Sequence, residues 1–137
     1  MLHLGRVAAF GALSLIASLY AAPVHAEPIM RSHTVDSGME SVVGRSTFWN
    51  RECHPRSATV TITKKPENGD ASIRDGLNPV VANPRFGTAG KCVGKEVMGK
   101  QIVYRSKASF RGVDVLNYES VSDKGEKSAV TVTITVK

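Results

Sequence analysis

The run Ala129-Val130-Thr131-Val132-Thr133-Ile134-Thr135-Val136 alternates apolar and hydroxyl residues, and nearly all of them are β-branched. Alternation with a period of two is the mark of a strand with one face buried and one wet. It places Val130, Val132, Ile134 and Val136 toward a core and the threonines toward solvent. Thr59-Val60-Thr61-Ile62-Thr63 repeats the pattern, with Val60 and Ile62 inward.

Working outward, turn signals separate further strands. Pro66-Glu67-Asn68-Gly69 joins a strand at 58–64 to a short one near 70–74, because Asn-Gly supplies positive φ at low cost. Ser122-Asp123-Lys124-Gly125 joins a strand at 113–121 to the last one at 127–136. Another strand is predicted near 100–106, and weaker ones at His33–Asp36 and Ser41–Trp49, around Ser37-Gly38. Gly76–Gly90, with Asn78-Pro79, Asn83-Pro84 and several glycines, reads as a loop. The sum is all-β, an antiparallel β-sandwich of about seven strands.

The N-terminal segment has different physics. One basic residue, Arg6, precedes the uninterrupted apolar or small run Val7–Ala22, then Pro23 and Val24-His25-Ala26. That order predicts a secretory signal peptide over 1–26 and one domain over 27–137. The run falls short of the ~20 apolar residues of a membrane span. Export implies a periplasmic or secreted protein in an oxidising compartment. Cys53 and Cys92 are the only two cysteines, so a disulfide is expected. Closing residues 53–92 into a loop contributes about 4 kcal/mol in the loop-entropy description. A metal site is the rival, but two cysteines without CxxC spacing, beside His54, form a poor ligand set.

The C-terminal half resembles the bacterial immunoglobulin-like and cadherin-like repeats of large surface proteins. The resemblance is carried by Val60-Thr61-Ile62-Thr63 with Pro66-Glu67-Asn68-Gly69, by Val103-Tyr104, by Phe110-Arg111-Gly112-Val113-Asp114-Val115-Leu116-Asn117-Tyr118, and by Ala129–Val136. It covers roughly 58–137. Ser106 stands where such repeats usually carry proline, Ser109 where they carry glycine, and Leu116 where they carry an aromatic residue. The resemblance implies an immunoglobulin-like sandwich, here as a solitary exported copy. Within it Gly112 allows a tight turn, and Asp114 accepts from turn amides. Tyr118 is placed as a tyrosine corner, and Tyr104, Phe110 and Leu116 serve core and corner. Ser120 stands where antibody-type domains carry a core cysteine, so Cys53–Cys92 is expected to staple an irregular edge instead.

No sequence pattern announces a reaction. There is no G-x-S-x-G elbow, no phosphate-binding glycine loop and no HExxH helix. Carboxylates are scattered singly, without the pair a glycosidase needs. Asp114, Asp123 and Glu126 do not make a calcium cluster, and His33, His54, Met30 and Met39 lack the spacing of a copper site. No catalytic residue, metal or cofactor is therefore expected.

Charge carries more. The chain holds 18 Lys+Arg against 12 Asp+Glu, a formal net charge of +6. Arg51, His54 and Arg56 flank Cys53, and Lys91, Lys95 and Lys100 flank Cys92, so one crosslink gathers two basic stretches, with Arg45 and Arg85 as further members. Such a surface attracts an anionic envelope polymer or an acidic protein face; equally, positive charge keeps a small exported protein soluble. Trp49, after Phe48, is either a core residue or a surface anchor for a partner. Nucleic acid is disfavoured by compartment and by the few aromatics. The expectation is a non-enzymatic binding module of the cell envelope. The alternatives are an accessory subunit pairing through an edge strand and a small hydrolase.

Overall fold

A computed structural model describes residues 26–82 and 90–137. The signal-peptide reading, apart from Ala26, and the Asn83-Pro84 and Arg85 readings fall outside these residues. Nine strands occur: β1 Ile29–Val35, β2 Glu40–Ser46, β3 Phe48–Trp49, β4 Pro55–Arg56, β5 Ala58–Lys64, β6 Gly69–Pro79, β7 Glu96–Ser106, β8 Gly112–Ser122 and β9 Lys127–Val136. A 3-10 turn, Gly90–Cys92, lies in the connection from β6 to β7.

The strands form a four-stranded sheet in the order β1-β9-β8-β5 and a three-stranded sheet in the order β2-β7-β6. The protein is thus all-β and sandwich-like. Two sequence expectations need correction. Among the described residues the strand count is nine rather than about seven, because Thr47 breaks the expected Ser41–Trp49 strand and β3 pairs separately with β4. The sandwich is not wholly antiparallel, because β1 runs parallel to β9 from Ile29↔Val130 to Val35↔Val136.

The core lies between the two sheets, and its inner row is that of the alternating run. Val130, Val132, Ile134 and Val136 are all buried, beside Leu116 and Tyr118 of β8 in the same sheet and against Val43 of β2 and Ile102 and Tyr104 of β7 in the other. Each such aliphatic side chain contributes roughly 1.5–3 kcal/mol through burial. A bulge between Val42 and Gly44 turns Val43 fully into this core.

The expected loop at Gly76–Gly90 is also corrected: Gly76–Pro79 completes an 11-residue strand, β6. Its turn-forming composition is overridden by close packing. Gly76 lies opposite Gly99 of β7, and the Gln101 side chain fills the space a side chain at Gly76 would need. Asn78 is 1% exposed and polar. Its amide donates to Thr47 Oγ1 at 2.9 Å and the Lys100 carbonyl at 3.1 Å, and its Oδ1 accepts from Gln101 Nε2 at 3.1 Å. Burial is tolerated because each polar group has a partner.

Candidate functional site

One end of the sandwich collects the β2-to-β5 connection, the β6-to-β7 connection and the β8–β9 turn. Its geometry begins at Asn50. The Cys53 amide donates to the Asn50 carbonyl and the Asn50 amide to the His54 carbonyl, both at 3.0 Å. Asn50 Oδ1 accepts from the amides of Glu52 at 3.0 Å and His54 at 2.9 Å. These bonds shape the β3–β4 hairpin loop, with Cys53 in the left-handed region at φ 67°. That position normally favours glycine. Here it is covalently held: Cys53 is disulfide-bonded to Cys92, with Cα atoms 5.5 Å apart.

Around the bond sits a second small core. Val80, Cys92 and Val97 are buried, with Trp49 and Cys53 packed against them. Trp49 is half-buried, as is Phe48, so strict in-out alternation does not hold in this two-residue strand. The indole is committed to the disulfide cluster rather than offered as a free anchor. Beyond Pro79 the chain continues ladder-like: the Val80 amide donates to the Lys95 carbonyl at 2.8 Å and the Gly94 amide to the Val80 carbonyl at 2.9 Å.

The expected basic residues divide. Arg51, His54, Lys91 and Lys95 are exposed at this end. Among the described residues no ion pair involves Arg51, Lys91 or Lys95. Arg56 is not available to a ligand. Its guanidinium meets Asp123 at 2.5 Å and Glu126 at 3.1 Å, tying β4 to the β8–β9 turn. The hydrogen bond to Asp123 raises its pKa. Glu126 is lowered, first by the Ser122 hydroxyl and then by Arg56. Lys100 is likewise paired, with Asp75 across the β6–β7 ladder at 2.6 Å. Glu52 and Glu96 stand in the same stapled segments, so the surface is mixed in sign but basic in excess. Two exposed valines sit among the cations, Val81 at 63% and Val93 at 47%. Hydrophobic periodicity gave no reason to single them out.

The opposite end carries residues the sequence reading did not group. Lys64, Lys65, Lys107 and Arg111 are exposed there, beside Lys137. Of these, Lys107 donates to the Glu67 carbonyl at 3.0 Å.

The core and corner residues form a separate constellation. Tyr104 and Leu116 are fully buried, and Phe110 packs against the core. Asp114, 3% exposed, accepts from the amides of Glu67 at 3.0 Å and Asn68 at 2.9 Å, from its own neighbour Val115 at 3.0 Å, and from the Tyr104 hydroxyl at 3.0 Å. It pins the Pro66–Gly69 turn to β8. Burial, and then Asp114, push the Tyr104 phenol above its ordinary value. The Tyr118 ring is buried. Its hydroxyl crosses to the facing sheet, over Gly44 and the Arg45 backbone, because Gly44 leaves room for the ring. Gly112 adopts φ 143°.

Among the described residues no three His, Cys, Asp or Glu side chains are grouped to hold a metal ion, and no helix is long and apolar enough to cross a membrane. A cleft of about 280 Å³ opens between the N-terminal segment and β8–β9, lined by Ala26, Glu27, Ile29, Glu119 and Lys127 among others. Comparison with protein-family models, curated proteins and solved structures finds no match to this chain.

Proposed function

We propose that the chain is an exported, immunoglobulin-like, non-enzymatic binding module of the bacterial cell envelope, and that it holds an anionic partner through the surface around Cys53–Cys92. The strand order supports the immunoglobulin-like part. Strands β2, β7 and β6 make one sheet and β9, β8 and β5 the other, with β1 added beside β9; this parallels the two-sheet arrangement of that fold.

The observation that carries the binding part is the company the valines keep. Val81 and Val93 are exposed among Arg51, Lys91 and Lys95 on segments fixed by one covalent bond. A surface serving solubility alone gains nothing from exposed apolar side chains. A contact surface uses them for area and the cations for attraction and orientation. The partner class is an anionic envelope polymer or an acidic protein face.

The test is retention on envelope membranes and on an immobilised polyanion over a salt series. Reversal of Arg51, Lys91 and Lys95 to Glu is expected to abolish salt-sensitive retention, whereas reversal of Lys64, Lys65 and Arg111 leaves most of it. Equal loss from both sets would show bulk charge at work and remove the reading.

A further inference from the structure

Four strands end the two sheets: β1 and β5 in one, β2 and β6 in the other. Their edges differ. β2 is bulged between Val42 and Gly44, and β5 between Ile62 and Lys64. Bulges twist an edge away from strand addition. β1 has seven residues. β6 has eleven, in one unbroken register with β7 from Gly69↔Ser106 to Pro79↔Glu96, and among the described residues no strand pairs with its other side. Ile73 lies opposite Ile102, so it points to the core side of the sheet, yet it remains 36% exposed. Leu77, on the same face, is 52% exposed. An edge that is long, regular and, apart from Asp75, apolar on one face is suited to receive another strand.

We infer that β6 pairs antiparallel with β6 of a second copy of this chain, in a register centred on Ser72. The choice of occupant comes from charge. For two copies to continue one sheet with their core faces on the same side, the two-fold axis must fall on a residue, because neighbours across a ladder share a face. Centring on Arg74 or Asp75 sets a like charge against itself. Centring on Ile73 puts Arg74 opposite Ser72 and Asp75 opposite Ala71, pairing no charges. Centring on Ser72 sets Arg74 opposite Asp70 of the second copy twice over, and Ile73 opposite Ala71 twice over, across Gly69–Asp75. Opposite charges directly across a ladder stabilise it and like charges oppose it.

Arg74 lies on the outer face of the sheet, where its Nη1 meets Glu40 of β2 at 2.8 Å and its Nε donates to Gln101 Oε1 of β7 at 3.1 Å; pairing with Asp70 of the second copy requires this exposed guanidinium to swing from Glu40 to the free edge. Asp70 is exposed on that same face, and among the described residues it has no ion-pair partner. The two-fold contact is therefore self-complementary, as an isologous interface requires. It does not rest on the anion-binding reading, whose residues lie elsewhere.

Sedimentation equilibrium of the oxidised protein tests it, up to about 1 mM. The expected result is a concentration-dependent monomer–dimer equilibrium. Arg74→Asp should weaken the dimer at least about tenfold, and Asp70→Arg combined with Arg74→Asp should restore it to within a few fold. Restoration separates pairing from damage, since a merely misfolded variant is not rescued by a second reversal. A wild-type monomer at every concentration, a dimer indifferent to Arg74→Asp, or a charge swap that fails to restore association would each overturn the inference.

Discussion

Ser109 and Tyr104 show how single residues carry the fold. Ser109 is held at φ 64°, in the left-handed region, where a Cβ is unfavourable. Ser109→Gly should stabilise the protein by about 0.5–1 kcal/mol in denaturant melts, after allowance for the looser unfolded chain. Tyr104 gives a pH prediction. Its folded pKa is raised above the ordinary 10.0. The neutral phenol is thus favoured by folding, and that stability is present below pH 10 and lost as pH rises beyond it. Tyr118 shifts in the same direction through burial. Tyr104→Phe should therefore flatten only part of the alkaline loss. At neutral pH it should cost about 1–2 kcal/mol, because Asp114 forfeits a buried donor. That Asp114 accepts from turn amides was expected from the resemblance carried by Phe110–Tyr118, and it does so from Glu67 and Asn68. That Tyr118 reaches across to the facing sheet was not expected, since Gly44 lies far away in sequence and its role is visible only once a bulge aligns it with the ring.

At the scale of elements, the legible strands were those with clean alternation between strong turns. β5 spans the expected 58–64, and β8 and β9 fall within a residue or two of expectation. The ends of β6 and β7 were hidden for a physical reason. Gly76, Asn78, Pro79 and Gly99 look like loop residues, yet two glycines facing each other let side chains from Gln101 and Thr47 close over the ladder. β3 and β4 are too short to show a period, and their pairing depends on Asn50 and the disulfide. That dependence is testable. Replacing both Cys53 and Cys92 by Ser should lower stability by about 3–4 kcal/mol. Amide hydrogen exchange should accelerate first in β3–β4 and around Val80 and Lys95, with β8 and β9 still protected. Uniform acceleration would mean that the crosslink stabilises the whole sandwich rather than its end.

At the scale of the molecule, charge and topology divide the labour. The sheets set the body, and the crosslink sets which cations meet. The sequence placed Arg51, Lys91 and Lys95 near one another because Cys53 and Cys92 had to. It overcounted Arg56 and Lys100, whose partners Asp123, Glu126 and Asp75 are neighbours only through strand pairing. The exposed Val81 and Val93 and the second basic end were equally beyond periodicity. The central claim is that covalent gathering of these cations, and not net charge, makes the binding surface. The most direct test compares oxidised wild type with the double Cys53→Ser, Cys92→Ser variant, which has the same formal charge, for retention on the immobilised polyanion at a temperature where both are folded. The prediction is that the variant elutes at clearly lower salt. Equal elution of the two proteins would contradict the account.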